Sequence, residues 1–216
     1  METFQLSEKL LKKIADLISA KKNTPLKKIV KDIHFADMAE IINELNEQQG
    51  IYLIKLFDTE KTSEILTELD EDVREKILKA LSVKEIADEI EELDSDDAAD
   101  ILGELSDERK EEVISEISDD NLADDLKELL SYEEDSAGGL MAKELVQANE
   151  NWSVTKCLKE IKKQGENVTR VHSIYVVDDK QKLIGRLSLK DLITSPAKNL
   201  IKDIYIPKVD SVNVFE

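Results

Sequence analysis

The sequence predicts an α+β chain of two domains: an all-α solenoid of short helices over residues 1–131, then a smaller α/β domain over 145–200. Three observations predict it. Apolar residues recur with a 12-residue period through the first half. Alternating strand-like runs appear only in the second half. Between them, residues 132–144 open with YEEDSAGGLM, where a strongly acidic chain turns mildly basic. The tandem glycines Gly138 and Gly139 are expected to give that junction backbone freedom, after three acids whose carboxylates and carbonyls can converge there.

The first element is an amphipathic helix within residues 1–31, with Leu6, Leu10, Ile14, Leu17 and Ile18 at helical spacing and a solvated, lysine-rich polar face. From Pro25 the repeat takes over. Its anchors are Ile33, Leu45, Phe57, Leu69, Leu81, Leu93, Leu105, Ile117 and Leu129. Three and four residues before each anchor the chain is apolar again, broken only by Glu89 and Asp125. Asn46, Asp58, Asp70, Ser82, Asp94, Ser106 and Ser118 follow the anchors, each a favoured N-cap residue where the next helix starts. Ser82 and Glu85 have capping-box spacing. Helices this short do not stand alone and must stack.

Residues 32–135 hold 36 acids and 9 bases, a net of −27 in a chain of −19 overall. Many of these acids lie in first helical turns, where the macrodipole favours them. A second column resists that account: Glu40/Glu44, Glu64/Glu68, Asp88/Glu92, Asp100/Glu104, Glu112/Glu116 and Asp124/Glu128 are like-charge i,i+4 pairs. They predict an acidic ridge, and between Lys84 and Arg109 no base offsets it locally. Such a surface repels nucleic acid and anionic lipid and attracts cations or a basic partner. Carboxylates suit a hard ion such as Mg2+. His34 and His172 stand apart and read as structural, so a softer metal has no ligand cluster. The run DSDDAAD at 94–100 is not an EF-hand loop, because Ala99 replaces the required glycine.

Residues 145–194 read as β-α-β-β-α. Val154, Cys157, Leu158 and Ile161 share a helix face, and Ile174–Val177 and Leu183–Leu187 are strands flanking a turn at 178–181. Trp152 reads as a core anchor. The lone cysteine, Cys157, points to a reducing compartment; the N-terminus lacks a secretory pattern, and no run approaches the ~18 apolar residues of a membrane span. A soluble chain is expected. No nucleophilic triad or phosphate-cradling glycine loop is visible, which argues against an enzyme.

VVDDKQKLIGRLSLKDL resembles the CBS domain, with that family's motif falling on Gly185, Leu187, Ser188 and Asp191. The resemblance implies an adenine-nucleotide site, ATP or a relative, at Gly185, Ser188, Lys190, Asp191 and Pro207, with Lys208 beside it. CBS domains work in pairs; here a second begins near residue 201 and stops after about one strand, so a fragment, or completion by another copy, is expected. The acidic repeat, YEEDSAGGLM and the CBS pattern together resemble the cytosolic part of the MgtE magnesium transporters. That implies a right-handed superhelix followed by a CBS domain, on the cytoplasmic side of the membrane. It further implies homodimers joined through the CBS domains and attached to a transmembrane pore. Mg2+ ligands are implied at Glu64, Asp96, Asp97, Asp100 and Gly139, holding the pore closed. A different reading is a solenoid scaffold for a basic protein partner, carrying a nucleotide-sensing CBS module.

Overall fold

The computed structural model describes residues 6–165, 168, 171 and 173–216; His172 lies outside them. The chain divides into two compact units, one of residues 1–93 with 97–127, the other of residues 94–96 with 128–216.

The helical unit follows the period. After α1 (Glu8–Ser19) and α2 (Asn23–Val30) come α3 (Phe35–Asn43), α4 (Glu47–Ile54), α5 (Thr59–Glu68), α6 (Glu71–Ala80), α7 (Val83–Ile90), α8 (Ser95–Gly103), α9 (Asp107–Glu116) and α10 (Asp120–Leu129). α1 is separated from α2 by Lys21, whose φ of 52° breaks the helix; Pro25, in the first turn of α2, forfeits a donor no helix uses there. α3 to α9 each begin 12 residues after the helix before. α3 packs on α5, α5 on α7, α7 on α9 and α4 on α6, so odd and even helices stack as two layers. The apolar positions of the period fill the space between: Ile41, Leu53, Ile65 and Leu102 are fully buried.

Capping follows the sequence in most places. Asn46 and Ser82 close capping boxes with Gln49 and Glu85, and Asp58 accepts from the Lys61 amide. Asp70 and Ser106 hold the cap position without a side-chain bond. Ser118 does not cap: α10 starts one residue late, Asp119 accepts from the Asn121 amide at 2.8 Å, and the Ser118 amide instead donates to the Glu91 carboxylate. Helix C-termini are closed from farther along the chain. Lys61 Nζ donates to the carbonyls of Val30, Lys31 and Ile33 (2.8 Å to the last), and Arg109 Nη2 to those of Leu78 and Leu81. A cation at the start of one helix thus satisfies orphan carbonyls three helices earlier.

The second unit is built on a three-stranded sheet of order β1 (Val146–Asn149), β2 (Ile174–Val177), β3 (Leu183–Leu187). β1 and β2 run parallel, bridged by α11 (Val154–Gln164); β2 and β3 are antiparallel, and α12 (Leu189–Thr194) follows. Val146, Ala148, Val154, Cys157, Ile161, Ile174, Val176, Leu187, Leu192 and Ile201 form its core, with Trp152 and Tyr205 against it. At the β2–β3 turn the Asp178 carboxylate accepts from the amides of Lys180 and Lys182, and Gln181 takes a φ of 62°.

Residues 201–216 contain a 3-10 turn (Ile201–Asp203) and a single bridge from Ile206 to Arg186, in place of the one strand expected there. The end of the chain then returns to the junction: the Gly138 amide donates to the Val214 carbonyl and the Ala137 amide to that of Glu216, each at 2.8 Å, with Phe215 edge-on to Tyr132.

Candidate functional site

The junction glycines are not there for the backbone freedom expected of them. Among the described residues no glycine has a positive φ. A side chain is excluded by crowding instead. A Cβ on Gly138 would stand 2.5 Å from the Tyr132 ring, and one on Gly139 would stand 2.4 Å and 2.7 Å from the carbonyl oxygens of Glu133 and Glu134. Carbonyls therefore converge at Gly139, as the run of acids before it suggested.

The same junction holds the start of α8. The Ser95 amide donates to Glu144 Oε1 at 3.0 Å, its hydroxyl lies 2.8 Å from Oε2, and the Lys143 amide donates to Ser95 Oγ at 2.8 Å. Ser95 is fully buried. A carboxylate 49 residues away in sequence thus caps the helix. Asp96, next in the chain, is half-buried at that point, while Asp97 and Asp100 on α8 are exposed. Asp96 and Asp100 are one turn apart on one helix face. Ser95 and Glu144 were missed in the sequence because nothing local links them.

Glu64 is exposed on α5 in a shallow depression of about 440 Å³ lined by Ile33, His34, Phe35, Asp58, Glu60 and Lys61. His34 caps α3, accepting from the Ala36 amide through Nδ1. Among the described residues, no three Asp, Glu, His or Cys side chains converge closely enough to enclose a metal. The donor chemistry fits Mg2+, which takes one or two carboxylates and keeps several waters; the described residues form no closed all-protein cage.

The ridge is less bare than the local sequence indicates. Glu104 turns inward to Arg74, whose Nε donates to it at 2.9 Å, and Glu128 takes Lys143 at 2.7 Å and the Tyr132 hydroxyl at 3.2 Å. These bonds hold the Glu128 carboxyl below its ordinary range. Lys55 reaches Glu85, and Lys84 approaches Asp88 at 4.0 Å. Arg74, Lys143 and Lys55 answer their acids from distant parts of the sequence, and Lys84 answers Asp88 from one turn away.

Of the nucleotide residues, Ser188 caps α12: its Oγ accepts from the Asp191 amide and donates to Asp191 Oδ2 at 2.7 Å. Gly185 lies under Tyr205 and the Ile206 carbonyl, each within 2.4 Å of where a Cβ would be. Beside Pro207 a groove of about 390 Å³ is lined by Ser173, Tyr175, Arg186, Ile206, Lys208, Val209 and Asp210. Tyr175 and Arg186 are cross-strand partners on β2 and β3, a pairing that only the register reveals. An aromatic face with two cations around a groove of this size suits a nucleotide. Cys157 is buried, its thiol pushed up to about 11, and is inert.

A family model for the MgtE intracellular N domain matches residues 33–135, and one for the CBS domain matches residues 137–198. This chain carries an MgtE N domain joined to a CBS domain. It is 41% identical over 81 residues to the magnesium transporter MgtE of Thermus thermophilus, an alignment covering 38% of this chain and 18% of that protein. With the MgtE of Enterococcus faecalis it shares 37% identity over 86 residues, covering 40% and 19%. The matches span about a fifth of these relatives' length. Among solved structures, the cytosolic domain of the Mg2+ channel MgtE in complex with ATP superposes with a TM-score of 0.86 at 28% identity, covering 95% of this chain and 84% of that one. The soluble part of a magnesium transporter gives 0.79 at 25% identity, covering 97% and 82%. In this chain no described helix is long and apolar enough to cross a membrane.

Proposed function

We propose that this chain is the cytosolic regulatory region of a magnesium transporter or channel. In this reading Mg2+, held by acidic side chains of the N domain together with donors of the junction and CBS half, favours a closed pore. One observation carries the reading: the acidic helix α8 starts on the junction itself, its first residue Ser95 held by the Glu144 carboxylate and the Lys143 amide. Asp96, Asp97, Asp100, Glu64 and the Gly139 backbone supply hard oxygen donors that a hydrated Mg2+ accepts. Ion binding then shifts the population toward whichever state brings more donors to it. A homodimer formed through the CBS domains, a pore in the same full-length protein and a place on the cytoplasmic face of the membrane complete the proposal.

The experiment is small-angle X-ray scattering during a Mg2+ titration, against NaCl of matched ionic strength. A smaller radius of gyration with millimolar Mg2+, beyond the NaCl control, is the expected result, and Asp100→Lys and Glu64→Lys should each blunt it. Identical curves in Mg2+ and NaCl, or full compaction in both variants, would reject the cation reading.

The Tyr175–Arg186–Lys208 groove supports a second ligand, an adenine nucleotide with its base on Tyr175 and its phosphates toward the two cations. Titration calorimetry with ATP should show Tyr175→Ala weakening binding by about 1–3 kcal/mol. A loss with Ser188→Ala but none with Tyr175→Ala would move the site to the Gly185–Asp191 motif. An interaction scaffold is favoured only if a basic protein partner stays bound in millimolar Mg2+.

A further inference from the structure

Four residues before the anchors from Leu45 to Ile117, the helical domain builds a buried column that is apolar at every position but one. Ile41, Leu53 and Ile65 in it are fully buried, Ile77 and Ile101 are 2% exposed, and Val113 is again fully buried. Glu89 stands in the same column on α7, 9% exposed, and its Oε2 has no hydrogen-bond partner. A carboxyl has taken the place of an isoleucine.

The groups around it are of one sign. α7 packs between α5 and α9. From α5 the N-cap carboxylate of Asp58 faces Glu89; from its own segment Glu85, Asp88 and Glu92 do. The cations of these elements are engaged elsewhere. Lys55 is on Glu85, Lys84 on Asp88, Lys61 on the α2 carbonyls and Lys110 on Asp107; Arg109 donates through Nη2 to the Leu78 and Leu81 carbonyls, its Nε is buried without a partner, and no cation is among the groups that act on the Glu89 carboxyl. Burial, then the neighbouring acids, push the Glu89 carboxyl up to about 8 from an ordinary 4.5.

We propose that Glu89, buried and without a partner in the apolar column, is a proton-binding site built into the helical domain, whose proton loss loosens the packing of α7 between α5 and α9. The ligand is the proton itself, and the site is separate from the carboxylates assigned to Mg2+. A charge in this position is buried, unpaired and repelled by four acids, whereas the neutral acid is tolerated. The domain would therefore report alkalinity through its stability, whether or not it also reports Mg2+.

The sign follows from linkage. The folded chain binds this proton more tightly than the unfolded chain, so the stabilisation is complete below the unfolded value of 4.5 and is lost as pH rises to about 8. The test is urea unfolding of the whole chain, followed by its helical circular dichroism in Mg2+-free buffer, for the natural protein, Glu89→Gln and Glu89→Leu. Relative to Glu89→Gln, the natural protein's unfolding constant should rise about tenfold per pH unit between about 5 and 8, then level off. Glu89→Leu should track Glu89→Gln. Parallel pH profiles for the natural protein and Glu89→Gln would overturn the proposal. Should the variants fail to fold, carboxyl 13C NMR of the glutamate-labelled natural protein decides. One resonance titrating near 8 supports the site, and all glutamates titrating near 4.5 refute it.

Discussion

Arg74 shows how much one side chain can hold in a chain so short of bases. Its Nε donates to Glu104, and its Nη1 donates to the carbonyls of Leu66 and Leu69, both at 3.2 Å, closing the end of α5. Both partners are shielded, at 16% and 17% side-chain exposure; Arg74 binds Glu104 through Oε1, and Oε2 has no hydrogen-bond partner. Removing the guanidinium leaves a buried carboxylate uncompensated and a helix end open, so Arg74→Ala should cost about 3–5 kcal/mol in urea unfolding. Adding Glu104→Gln should recover part of that loss, since the stranded charge disappears. The exposed pairs Lys76–Asp72 and Lys79–Glu75 set the comparison: Lys79→Ala should cost under about 1 kcal/mol. Equal losses at Arg74 and Lys79 would mean that the Arg74 network adds nothing beyond a surface contact.

At the scale of elements, what was legible in the sequence is what is local. The 12-residue period, the N-cap at Asn46, the capping box at Ser82 and the β-α-β-β-α order all rest on neighbours within a few residues, and the structure repeats them. Contacts that join distant residues left no trace. Arg74 meets Glu104 across 30 residues, and Ser95 meets Glu144 across 49. Ser118 looked like the next cap by period, yet the Glu91 carboxylate takes its amide and α10 starts a residue later. The glycines were singled out correctly for the wrong reason: steric exclusion by Tyr132, Glu133 and Glu134, which depends on how the chain folds back, replaces backbone freedom. The candidate sites divide likewise. Asp96, Asp97, Asp100 and Glu64 could be read as acids on helix faces, whereas the Tyr175–Arg186 groove exists only once β2 and β3 are in register.

The charge of the whole molecule is divided as sharply as its secondary structure. Residues 32–135 carry 36 acids against 9 bases, −27, while residues 136–216 carry 13 bases against 10 acids, +3. Like charges along the helices store repulsion that folding must overcome, and unfolding spreads them apart. Raising NaCl from about 10 mM to about 0.15 M shortens the screening length from about 30 Å to about 8 Å. The helical transition should therefore move upward with salt, by roughly 3–6 °C for each kcal/mol relieved in a domain of this size. Trp152 lies against the core of the CBS half, where charge is nearly balanced, so its fluorescence transition should move far less. Thermal melts followed by circular dichroism at 222 nm and by tryptophan emission separate the two. If both transitions rise together, salt acts on the chain in general and the acidic ridge stores no repulsion of its own. If only the helical transition rises, the ridge is a loaded surface that a divalent cation can discharge at far lower concentration than sodium can.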